Sequence, residues 1–78
     1  MSKNVEQTIK EVMAVVLNID VAKIDDGTLM DNTPGWDSAN HINLVLALEE
    51  EFSISFEVTE FEVMVSYDEI VAVVGSKL

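Results

Sequence analysis

The 78-residue chain has no cysteine and no arginine, only four lysines, one histidine, one proline and three glycines. Without cysteine there are no disulfide staples and no thiolate metal sites, so the fold must stand on aliphatic packing. No apolar run reaches the ~20 residues that a membrane-spanning helix needs, and no signal-peptide pattern opens the chain. These absences read as a soluble cytoplasmic protein with no membrane insertion. The shortage of cations disfavours nucleic acid as a partner, because phosphate neutralisation requires Lys and Arg. A chain this short is expected to form one domain over residues 1–78 and to bury roughly 60% of its unfolded surface.

What is present is acid. Fifteen Asp and Glu give a formal net charge of −11. The lysines are Lys3, Lys10, Lys23 and Lys77, so residues 24–76 hold none, yet they carry 12 of the 15 acids. Solubility accounts for the total charge better than for its placement. The segregation favours a protein partner with a basic docking patch, met by steered encounter.

The pattern predicts an all-α fold, a small four-helix bundle with a long first loop and a short third helix. In the first helix, from about Ser2 to Leu17, Val5, Ile9, Val12, Met13, Val16 and Leu17 form one 3.6-residue stripe, with Asn18 as the stop. A connection of 19 residues, 18–36, follows; Ile19, Val21, Ile24 and Leu29 are expected to pin it from beneath, with a short helical turn near Val21–Ile24. The second helix runs from about Ser38 to Phe52. Ala39, Ile42, Val45, Leu46 and Phe52 are assigned to its core side, and Leu44, Ala47 and Leu48 widen the apolar arc. Residues 52–58 alternate like a strand but have no partner, so they read as an extended linker. Capping boxes at Thr59–Glu62 and Ser66–Glu69 open a third helix to about Val65 and a fourth with Ile70, Val73, Val74 and Leu78 on its stripe.

Ser38 is the candidate functional residue. It follows the turn signal Pro34-Gly35, and Asp37 is a good N-cap for the helix that it opens. A phosphodiester on its oxygen would sit by the first free N–H groups of that helix. No general base or third group stands beside it, which suits a serine that is modified rather than one that attacks. Taken alone, Asp37-Ser38 is an ordinary helix start.

The surroundings go further. Asp37-Ser38, followed by Ile42, by Leu44-Val45-Leu46-Ala47-Leu48-Glu49-Glu50-Glu51-Phe52, and then by Ile54-Ser55-Phe56 and Tyr67-Asp68-Glu69-Ile70-Val71, closely resembles the acyl carrier protein family over about Leu29 to Val74. The resemblance implies that Ser38 receives 4′-phosphopantetheine from coenzyme A through a Mg²⁺-dependent phosphopantetheinyl transferase that recognises the adjacent Asp37. The arm's thiol would then hold acyl or aminoacyl groups as thioesters. The chain would catalyse nothing and would present its cargo, as a monomer, to loading and transferring enzymes with basic docking patches. The partner face implied is Asp37, Ala39, Ile42, Glu49 and Glu50. Three positions depart from the family's habit: Ala39 stands in place of leucine, and Asn40 and Asn43 stand where fatty-acid carriers commonly have acids. With Trp36, these point to a specialised or stand-alone carrier in fatty-acid, polyketide, peptide or lipid biosynthesis. Residues 58–61 also show some similarity to D-alanyl carriers.

His41, three residues after Ser38 on the same helix, is expected to be a solvent-exposed spectator, since no oriented Ser–His geometry arises at that spacing. Trp36 is expected to pack the long loop onto the bundle, with a role at the entrance to an acyl pocket as the alternative. Residues 31–37 fail as a calcium loop, because Pro34 interrupts them and the closing Glu is missing, so no specific metal site is expected. The competing reading is a non-catalytic acidic interaction module that uses the broad apolar face of the second helix. An enzyme is disfavoured, because no cluster of His, Cys, Lys or Arg offers acid–base chemistry.

Overall fold

The stripe of the first helix determines where the core begins. In α1 (Val5–Leu17), Ile9, Met13 and Leu17 are buried, and Val5, Val12 and Val16 are half-buried at its margin. The computed structural model describes residues 4–78, so the expected start at Ser2 lies outside the described residues. The helix begins behind Asn4, whose side chain accepts the Gln7 N–H at 3.1 Å. It stops at Asn18, which takes the left-handed conformation (φ 57°) and returns its N–H to the Ala14 carbonyl, a capping role that Asn tolerates.

The long connection is pinned partly as expected. Ile24 is buried, Ile19 and Val21 are half-buried, and a 3-10 turn forms at Val21–Lys23. Leu29 departs from the expectation: its side chain is 43% exposed. Its backbone provides the hold instead, in an isolated antiparallel bridge to Ser66. The Met30 N–H donates to Val65 O at 2.9 Å, and the Tyr67 N–H donates to Thr28 O at 3.0 Å. A second 3-10 turn at Met30–Asn32 follows.

α2 (Ser38–Phe52) starts and ends where the sequence indicates, but it is rotated from the expected register. Its buried residues are His41, Leu44, Val45 and Leu48. Ala39, Ile42 and Leu46, assigned above to the core, face outward, with Ile42 49% and Leu46 57% exposed. A helix apolar nearly all round gives periodicity nothing to choose between, so tertiary contacts set the rotation.

The linker after α2 is extended, with Ile54 and Phe56 packed against the core. α3 (Val58–Val63) starts one residue before the expected Thr59 cap: the Glu57 N–H donates to Glu60 Oε1 at 2.9 Å, so Glu57 holds the capping position, and the helix stops short of Val65. α4 (Tyr67–Ser76) is capped as expected by Ser66, whose hydroxyl accepts the Glu69 N–H. Tyr67, Ile70 and Val74 are buried and Val73 is half-buried, but Leu78, expected on the stripe, lies beyond the end of the helix and is exposed. α1 packs against α2 and α4, and Trp36, Ile24 and Met64 complete one core. No helix among the described residues is long and apolar enough to cross a membrane.

Candidate functional site

Three devices build the start of α2. Gly35 adopts φ +91°, and a Cβ there would stand 3.0 Å from the Leu17 carbonyl oxygen, so the turn runs against the end of α1 where a side chain does not fit. Asp37 is extended and its Oδ1 accepts the Asn40 N–H at 2.9 Å. The Asn40 amide in turn donates to Gly35 O at 2.7 Å, and Asn43 donates to Asn40 Oδ1 at 3.2 Å. The two asparagines therefore stitch the turn to the helix, which aspartates could not do as donors.

Ser38 occupies the first position of α2 and is exposed. Its hydroxyl has no hydrogen-bond partner among the described residues. The N–H groups of a helix's first turn have no intrahelical acceptor, and the helix dipole is positive there, so a phosphate on this oxygen meets donors rather than repulsion. The site fits a covalently attached phosphodiester on the chemistry of its own groups.

A groove of about 360 Å³ lies between α2 and α3. Ile42, Val45 and Leu46 form one wall, Phe56, Val58 and Phe61 the other, with Glu49 and Glu57 at the rim. Ile42 and Leu46 lie at i+4 and i+8 from Ser38, which is one helical face, so the residues missing from the core line a path leading away from the serine.

His41 is not the exposed spectator expected. It is 4% exposed and lies between Trp36 and Phe61. The Trp36 indole N–H donates to His41 Nδ1 at 3.1 Å, and His41 Nε2 is 2.9 Å from Phe61 O. Nδ1 accepts, so Nε2 must carry the proton that it donates, and the imidazole is neutral with both nitrogens engaged. Trp36 is 3% exposed and packs the long loop down as expected. The buried histidine was detectable in principle: positions 41, 44, 45, 48 and 52 form a stripe as regular as the one assigned.

Of the other expected partner-face residues, Asp37, Ala39, Ile42 and Glu50 are exposed. Glu49 is half-buried, and its Oε2 accepts the Phe56 N–H at 2.7 Å, so it also anchors the linker. No group of three or more His, Cys, Asp or Glu side chains among the described residues could hold a metal ion.

Residues 7–74 match the family described as the phosphopantetheine attachment site. The chain belongs to the acyl carrier protein family. It is 39% identical over 61 residues to proteins named acyl carrier protein from Buchnera aphidicola subsp. Acyrthosiphon pisum strains Tuc7, 5A and APS, covering 77% of this chain and 75% of each relative. As an acyl carrier protein, the chain bears a covalent 4′-phosphopantetheine and is a carrier, not a catalyst. Its partners are a phosphopantetheinyl transferase and acyl-handling enzymes.

Proposed function

We propose that Ser38 is the attachment point of the arm and that α2 presents the cargo to partner enzymes. The observation that carries this reading is the exposed, unbonded Ser38 hydroxyl on the first turn of a 15-residue helix. The arm supplies a thiol for thioester linkage. Asp37 both caps the helix and serves transferase recognition. The partner face is Asp37, Ala39, Ile42, Glu49 and Glu50, an outward strip of apolar and acidic groups that suits basic docking patches. Ala39 makes that strip shallower at the serine, so partners must grip Ile42 and Leu46 instead. The α2–α3 groove, aligned with Ser38, offers apolar shelter to the attached acyl or aminoacyl group. The protein acts as a monomeric cytoplasmic carrier, one domain over residues 1–78, in fatty-acid, polyketide, peptide or lipid biosynthesis.

The test is intact mass after incubation with coenzyme A, Mg²⁺ and a broad-specificity transferase. The wild-type protein gains one arm and Ser38→Ala gains none. A wild-type protein left unmodified by several transferases, or an arm still added to Ser38→Ala, would overturn the assignment.

A further inference from the structure

The chain has one tryptophan and one histidine, and the structure bonds them to each other. The same imidazole reaches across to α3. Phe61 is held to it twice, through its carbonyl at 2.9 Å and through an edge-on ring contact with centroids 4.7 Å apart. Phe61 is also part of the far wall of the α2–α3 groove. His41 thus ties the loop before the serine and α2 itself to the far wall of the groove.

We propose that His41 is the positioning residue of the α2–α3 groove, a proton-operated clasp that holds the α3 wall in place beside the cargo while the imidazole is neutral. Protonation at Nδ1 places an N–H against the Trp36 indole N–H, two donors with no acceptor between them. No carboxylate among the described residues is hydrogen-bonded or ion-paired to the ring. Asp37 on the same helix is bound to the Asn40 N–H, and on the α3 side Glu60 is bound to Lys77 at 2.8 Å. Glu57, at the cap of α3, and Glu62, within it, are both exposed and make no hydrogen bond to the ring. A buried charge without a partner is costly, so the clasp lets go of Trp36 and Phe61 and the groove widens. Acid therefore shifts the attached group from sheltered to presented.

The clasp itself is tested on the unmodified protein and needs no arm. Trp36 fluorescence and its indole N–H resonance are followed as the solution is acidified, alongside the His41 ring-nitrogen shifts that report its protonation directly. Wild type shows a change in both signals that follows protonation of the His41 ring nitrogens. His41→Gln, whose carbonyl can accept from Trp36 while its amide donates to Phe61, shows none. The same pH course in both proteins overturns the proposal. So does a wild-type imidazole whose nitrogen shifts show the proton on Nδ1 at neutral pH, a measurement that needs no variant to fold.

The consequence for cargo rests on Ser38 bearing the arm, and uses the protein loaded with an octanoyl group. Octanoylation shifts the resonances of Ile42, Val45 and Phe61 at about pH 8. The shifts collapse on acidification in wild type and persist in His41→Gln; persistence in both overturns the link to cargo. A protein that never accepts the arm defeats the attachment reading and leaves the clasp measurement standing.

Discussion

The rotation of α2 makes a sharp prediction about two leucines two residues apart. Leu44 is fully buried, whereas Leu46 is 57% exposed. Leu44→Ala loses the transfer energy of the side chain and leaves a cavity, a combined cost of about 2–5 kcal/mol. Leu46→Ala has less than half of the side chain's surface to lose. Full burial of a leucine is worth about 1.5–3 kcal/mol, so its truncation costs about 1 kcal/mol with no cavity contribution. A domain of this size has roughly 4–12 kcal/mol in total, taking about 0.05–0.15 kcal/mol per residue. Leu44→Ala therefore removes a large share of the stability. At about 4–8 °C per kcal/mol, a loss near 3 kcal/mol lowers Tm by about 12–24 °C, against at most about 8 °C for Leu46→Ala. Thermal and urea unfolding followed by circular dichroism measure both, with an unchanged urea slope showing that the native state is intact. Equal losses, or a larger loss for Leu46→Ala, would refute the register and with it the assignment of the outward strip.

Other consequences are equally direct. Asp37→Ala removes the cap on α2 and should cost about 1 kcal/mol in urea unfolding. Gly35→Ala forces a side chain into a left-handed turn against the Leu17 carbonyl and should cost about 1–3 kcal/mol, read the same way. The Tyr67 hydroxyl is buried with no partner among the described residues, so Tyr67→Phe should leave Tm unchanged or raise it. Burial, and then the charges of Glu6, Asp26 and Asp68, raise the Tyr67 pKa above its ordinary value. Its protonated form belongs to the folded state, so that share of stability is complete below the ordinary tyrosine range and is lost as pH climbs through the raised value. Tyr67→Phe should abolish this alkaline loss in pH-dependent melting. Glu49→Lys should lower stability as well as docking, because it strips the acceptor from the Phe56 N–H, whereas Glu50→Lys should slow association with a basic partner at low salt and leave Tm nearly unchanged.

The elements that have chemical punctuation were legible in the sequence. Asp37 and Ser66 mark helix starts with side chains that accept a backbone N–H there, and Asn18 ends α1 by taking the left-handed conformation and returning its own backbone N–H to Ala14 O. The stripe of α1 was legible because Gln7 and Glu11 oppose it. The face of α2 was not, because Ile42, Leu46 and Ala47 are as apolar as Leu44, Val45 and Leu48, and the choice falls to a polar residue. His41 goes inward because Trp36 and the Phe61 carbonyl, five and twenty residues away, satisfy both of its nitrogens. Local pattern cannot report an acceptor that arrives from another helix. Leu29 was misread for a related reason: its hydrophobicity suggested a buried anchor, while its backbone holds the loop. Ser38 was readable as a helix start, and its candidacy came from the residues behind it.

The bridge between the loop and the start of α4 has a kinetic meaning. Its two hydrogen bonds join residues 35–40 positions apart, so they form only after most of the chain has been brought together. The segment leading to Ser38 should then acquire its shape late in folding, and the Met30 and Tyr67 amides should exchange with solvent only when the molecule opens as a whole. A nascent chain that has not yet produced α4 would lack the settled turn in front of the serine. With Ser38 as the proposed attachment point, the site should mature with α4 rather than with the helix that bears it.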